Sequence, residues 1–150
     1  MATRPSAKRR SLFISLAAFS GVLVSLAIIR SSTSLGSPGP GWVRVGPIRD
    51  VRSQGVVLLS DVPAYVVADP PRTPVTFLAR SPHLGERVVY CPSSMWFEDP
   101  AHGDKFDRLG NYVLGPAPRG LDRLATLVQD GMVWVDPTRI TPGLLADRTT

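Results

Sequence analysis

The sequence predicts an all-β domain, a small antiparallel β-sandwich, carried behind a single N-terminal transmembrane helix. Three observations predict it. Short apolar, β-branched runs separated by Gly, Pro, Asp and Asn fill the chain from Trp42 onward. Fifteen prolines, most of them in that region, and the lack of any long amphipathic pattern after residue 30 argue against helices. Finally, Leu12 to Ile29 is an unbroken run of 18 apolar or small residues without a charge, the lower limit for a membrane-spanning helix.

Taken in order, residues 1–11 form a basic N-terminus containing Arg4, Lys8, Arg9 and Arg10. The excess of positive charge before the apolar run places this end in the cytoplasm and everything after Ile29 across the membrane, as a single-pass protein whose domain is periplasmic or extracellular. A cleaved secretory signal is the alternative, but its apolar region is shorter and ends at a small-x-small site. Here the run passes through Ile28-Ile29-Arg30 with no Ala-x-Ala, so a retained anchor at 12–29 is expected. Lys8-Arg9-Arg10-Ser11-Leu12-Phe13 also resembles a twin-arginine export signal.

Charge divides the chain in the same way. The net charge of +5 is matched by Arg4, Lys8, Arg9, Arg10 and Arg30, and no acidic residue precedes Asp50. The other 12 of the 17 Lys and Arg equal the 12 Asp and Glu, so the exported part is neutral. The basic balance belongs to the anchor and gives no ground for nucleic-acid binding.

Residues 30–41 read as a linker, Ser31 to Gly41 being Ser-Ser-Thr-Ser-Leu-Gly-Ser-Pro-Gly-Pro-Gly. As a random coil it reaches roughly 17–20 Å, stiffened in its second half by proline. The domain then spans 42–140. Gly55 to Leu59 and Ala64 to Val67 are strands around an Asp61-Val62-Pro63 turn, and Pro74 to Ala79, Arg87 to Tyr90 and Asn111 to Leu114 are three more. Leu124 to Val128 and Met132 to Val135 flank Gln129-Asp130-Gly131, a hairpin signal. Residues 141–150 are a C-terminal tail. About 100 residues give an adequate but modest core.

Two stretches carry chemistry. One is Ser81-Pro82-His83-Leu84-Gly85-Glu86; the other is Asp99-Pro100-Ala101-His102-Gly103-Asp104-Lys105-Phe106-Asp107. Both resemble the cluster-binding loops of Rieske iron–sulfur proteins, Cys-x-His-Leu-Gly-Cys and Cys-Pro-Cys-His-Gly-x-x-Phe-Asp, with every cysteine replaced. Further on, Gly110, then Gly115-Pro116-Ala117-Pro118 and Leu121, are similar to that family's glycine and proline-rich covering loop, and Asp130 to Asp136 to its last hairpin. Upstream, Trp42 to Val45 and Gly55 to Leu59 resemble its opening strands. The likeness extends over roughly Trp42 to Pro137. Motif types, order and separation agree together, which no single motif would establish.

The resemblance implies that His83 and His102 stand at the two histidine ligand positions. It puts Ser81 and Asp99 at the ligand cysteines, and Glu86 and Ala101 at the cysteines that often form a disulfide. Cys91-Pro92 offers a rival register, but a ligand Cys belongs three residues before its His, and Cys91 is far from His102. Cys91 is expected as a lone strand cysteine, small, apolar and unreactive. In a Rieske centre two thiolates hold one iron and two imidazoles the other. Hydroxyl and carboxylate oxygens are hard replacements for soft sulfur, so the expected cofactor is none, where the family's is a 2Fe–2S cluster. His83, His102 and Asp99 resemble in type a two-histidine, one-carboxylate set for a single iron or zinc, the alternative if any metal binds.

Three functions follow as expectations. The first is a membrane-anchored Rieske-like subunit of a respiratory or photosynthetic electron-transfer complex of quinol–cytochrome type, structural because its 2Fe–2S ligands are incomplete. Its partners would be the lipid bilayer and integral-membrane subunits, a cytochrome b-type protein among them. The second is a redox carrier with an atypical cluster or a mononuclear metal. The third is an exported binding domain unrelated to electron transfer. Such a chain is not catalytic by itself, and at most an electron-transfer subunit of an oxidoreductase. Ser81, His83 and Asp99 are the residue types of a hydrolytic triad, but no nucleophile elbow accompanies them.

Overall fold

In a computed structural model of the chain, residues 36–147 are described. The basic N-terminus, the Leu12–Ile29 segment expected to cross the membrane and the first part of the linker lie outside the described residues. Among the described residues no helix is long and apolar enough to cross a membrane.

Ten strands and one short helix follow in order: β1 (Val43–Pro47), α1 (Ile48–Gln54), β2 (Val56–Leu58), β3 (Ala64–Val67), β4 (Val75–Leu78), β5 (Val89–Cys91), β6 (Trp96–Glu98), β7 (Lys105–Phe106), β8 (Tyr112–Leu114), β9 (Arg123–Gln129) and β10 (Met132–Thr141). They build a six-stranded sheet, β1-β10-β9-β4-β3-β2, and a four-stranded sheet, β5-β6-β7-β8. Every pairing is antiparallel. The all-β expectation holds. The helix was not expected; it is a two-turn piece that buries Val51 and ends at Gly55, whose φ of 72° lets the chain turn out of it.

Strand β3 explains how so small a domain finds a core. All four of its residues are buried, although period-2 alternation sends neighbours to opposite faces. Tyr65 and Val67 join Phe77, Val88, Phe97, Phe106, Ala117 and Leu121 between the two sheets. Ala64 and Val66 join Val51, Leu124, Val133 and Val135, so the larger sheet curls until β10 faces β3. Both faces of β3 are covered, which is why it reads as a continuous apolar run.

The hairpin signal at Gln129-Asp130-Gly131 is a tight turn with φ of 51° at Asp130 and 74° at Gly131, the paired positive values of a type I′ turn. Gly110 has a different necessity. A Cβ there would lie 2.4 Å from the Phe77 ring, so only glycine lets this turn rest on the core aromatic. Residues 143–146 return alongside 118–120, with Gly120 N–H donating to Leu144 O at 2.8 Å and Ala146 N–H to Pro118 O at 3.0 Å.

Arg108 ties the two sheets. Its guanidinium donates from Nε and Nη2 to the two carboxylate oxygens of Asp69, each at 2.7 Å, and from Nη1 to the Tyr90 hydroxyl. The hydrogen bond from Arg108 holds the Asp69 carboxyl below its ordinary range, against the smaller opposing effect of burial. A carboxyl whose folded value is depressed contributes stability above its unfolded value of about 3.9 and loses it as pH falls through the folded value. Asp69→Asn should therefore cost about 1 kcal/mol at pH 7, a modest figure because both side chains are partly solvated. The gap from the wild type should close as pH drops below about 4. Urea unfolding of the detergent-solubilised chain, followed by tryptophan fluorescence at pH 7 and pH 3, checks both.

Candidate functional site

Both motif stretches are loops at one end of the four-stranded sheet. The first leaves β4 and enters β5; the second joins β6 to β7. The two are built alike. In the first, Ser81 N–H donates to Glu86 O at 2.7 Å and Gly85 N–H to Ser81 O at 3.0 Å. In the second, Asp99 N–H donates to Asp104 O at 2.8 Å and Gly103 N–H to Asp99 O at 2.9 Å. The glycine four residues into each loop has a positive φ, 79° at Gly85 and 77° at Gly103.

The leading residue of each loop also caps it. Ser81 Oγ accepts from His83 N–H at 3.1 Å. Asp99 Oδ1 accepts from Ala101 N–H at 2.8 Å and His102 N–H at 3.3 Å. Ser and Asp are the residue types that bond backbone amides two or three positions on. Each loop is therefore braced by the side-chain oxygen of its own leading residue. Both side chains are buried, Ser81 at 2% exposure and Asp99 at 1%.

The structure brings the two histidines together. Their rings meet edge to face with centroids 5.1 Å apart, and each is about 30% exposed at the domain's tip. His102 Nδ1 lies 3.2 Å from Asp99 Oδ2. His83 Nδ1 is buried with no hydrogen-bond partner among the described residues, 3.9 Å from Asp104 Oδ2.

Asp104 is the residue that the motifs did not single out. Its side chain is fully buried. Oδ2 accepts from the Ser81 hydroxyl at 2.6 Å and Oδ1 from Ala117 N–H at 2.7 Å. One carboxylate thus joins the first loop, the second loop and the Gly115–Pro118 segment. That segment sits directly on it: a Cβ at Gly115, where φ is 110°, would lie 2.7 Å from Asp104 Cα. An Asp after a loop glycine ordinarily faces water, and nothing in local pattern marks this one as buried. Glu86 and Ala101 are exposed. Among the described residues no three of His, Cys, Asp and Glu converge as a metal-holding group.

Cys91 departs from expectation. It is half-buried at the end of β5, and its Sγ lies 3.1 Å from Ser93 Oγ. Hydrogen bonding, first from Ser93 and then Ser94, brings its thiol down to about 7. Spacing along the chain did not reveal the serine turn that folds back onto it.

No protein-family model matches the chain. Among solved structures it is similar to the cyanobacterial plasma membrane Rieske protein PetC3 from Synechocystis PCC 6803, at 27% identity and a TM-score of 0.52, over 62% of this chain and 97% of that one. The chain belongs to the Rieske iron–sulfur protein family. Its curated Rieske relatives include cytochrome b6-f complex iron–sulfur subunit 2 of a Nostoc species, 29% identical over 85 residues, which are 55% of this chain and 48% of that protein. The chloroplastic cytochrome b6-f iron–sulfur subunit of Triticum aestivum is 32% identical over 102 residues, 63% of this chain and 45% of that protein. The chain spans about half the length of the curated relatives it matches. The match to PetC3, by contrast, takes in nearly the whole of that Rieske chain, as the described β-domain with its two loops would require.

Proposed function

We propose that this Rieske protein is a membrane-anchored subunit of an electron-transfer complex of quinol–cytochrome type, and that it serves there structurally, without a 2Fe–2S cluster. The observation that carries the reading is the oxygen network in the loops. Ser81 and Asp99 stand at the ligand-cysteine positions, and both are already spent on hydrogen bonds, to Asp104 and His83 N–H in one case and to the second loop and His102 in the other. These residues do not fit the cluster. They offer hard oxygens where soft thiolates are needed, and the buried Asp104 carboxylate links the same loops from inside. What such a network does supply is rigidity: it keeps the tip shaped as a docking surface at the cost of its electron.

Leu12–Ile29 provides the anchor in this reading, with the basic N-terminus cytoplasmic, the domain across the membrane and a cytochrome b-type protein among the partners. The names of the cytochrome b6-f relatives support a complex of this kind. Purification from native membranes in mild detergent tests it. The chain should co-migrate with integral-membrane redox subunits. Recovery as a lone protein would favour an exported binding domain of another kind.

One observation favours a second reading, a single iron or zinc around which His83, His102 and Asp99 would have to close, since they do not converge as a metal-holding group among the described residues. His83 Nδ1 is buried without a partner beside Asp104, and a buried ring nitrogen without a partner is costly. His102→Ala should then abolish metal content while the fold persists.

A further inference from the structure

The first loop is closed at its base by an isolated antiparallel bridge between Arg80 and Arg87. Residues directly opposite in such a bridge present their side chains on one face, and like charges there repel. Arg80 and Arg87 both line a cleft of about 530 Å³ between this loop and the β2–β3 turn. Elsewhere in the domain Arg108, Arg119 and Arg139 each reach a carboxylate. Arg80 and Arg87 form no ion pair among the described residues, although Asp61 lines the same cleft. The remaining wall includes Leu58, Val62 and Pro63.

We propose that this cleft binds an anionic amphiphile, a single carboxylate or phosphodiester carried on an apolar body. Three features choose that class. Two guanidiniums on one face match the planar oxygens of a carboxylate or phosphate. With Asp61 beside them the lining carries one net positive charge, which suits a singly charged ligand over a polyphosphate. The volume lies in the range of small-molecule sites, and the apolar wall calls for an apolar portion. Binding would neutralise the opposed arginines and so stiffen the base of the loop that carries Ser81 and His83. The cleft shares no residue with the four ligand positions, so this inference stands or falls separately from the cluster-free reading.

Isothermal titration calorimetry on the full chain in non-ionic detergent tests it, with octanoate as the carboxylate and dihexanoyl phosphatidylglycerol as the phosphodiester. Inorganic phosphate and dihexanoyl phosphatidylcholine are the controls. At least one amphiphile should bind saturably, and whichever binds tighter identifies the headgroup. Arg80→Gln and Arg87→Gln should each weaken it about tenfold or more, and the pair together should abolish it. Both side chains are exposed and their removal relieves repulsion, so the fold should persist, checked by near-ultraviolet circular dichroism. Absence of saturable binding to either amphiphile would overturn the proposal. So would binding within twofold of wild type in the double variant, or equal affinity for inorganic phosphate or the phosphatidylcholine.

Discussion

Protein purified anaerobically is expected to contain no acid-labile sulfide, below about 0.1 per chain, and to give no Rieske-type paramagnetic resonance signal on reduction. The family's cluster needs two thiolates at one iron, and this chain has one cysteine. Cys91 cannot be recruited. Loop one precedes β5 and loop two follows β6, while the pairing runs from Val89 opposite Glu98 to Cys91 opposite Trp96. The turn after Cys91 is therefore at the far end of that sheet from both loops. Ser81 and Asp99 present hard oxygens engaged within the protein, so an iron would have to displace existing bonds to gain weak ligands. Ser81→Cys with Asp99→Cys reverses the ligand loss alone, and sulfide uptake on reconstitution should then rise above background. Near-stoichiometric iron and sulfide in the unmodified protein would make it a redox carrier and end the structural reading.

The loops were legible because their glycines, prolines and histidines keep a spacing that local bonding requires. Gly85 and Gly103 need left-handed backbone, and Ser81 and Asp99 need to reach amides two or three residues on. The strands were legible for a related reason. Runs such as Ala64–Val67 are apolar throughout because both faces are covered. What sequence could not reveal depends on contacts far apart in the chain. Asp69 with Arg108, the opposed Arg80 and Arg87, and Asp104 with Ser81 join residues that no periodicity relates. Helix α1 also escaped notice, since seven residues give too few turns for a 3.6-residue pattern to register.

Asp104→Ala is expected to be the most damaging single change at the tip, costing about 3 kcal/mol. The carboxylate accepts from the Ser81 hydroxyl and from Ala117 N–H, and all three groups are buried. Truncation removes an acceptor from two buried donors, at about 1–3 kcal/mol each, although the hydroxyl regains part by rotating. Asp104→Asn separates this bonding role from side-chain bulk. Its amide oxygen can still receive Ala117 N–H. Its NH2 can donate to Ser81 Oγ, because a hydroxyl accepts as readily as it donates. The asparagine variant should therefore lose only about 1 kcal/mol. In a domain of this size the alanine variant should melt more than about 10 °C below wild type and the asparagine variant roughly 4–8 °C below. Equal melting temperatures for the two variants would mean that the carboxylate's hydrogen bonds do not hold the loops together. The tip would then owe its shape to the backbone bonds within each loop, and Asp104 would be buried only because Gly115 and Ala117 lie across it.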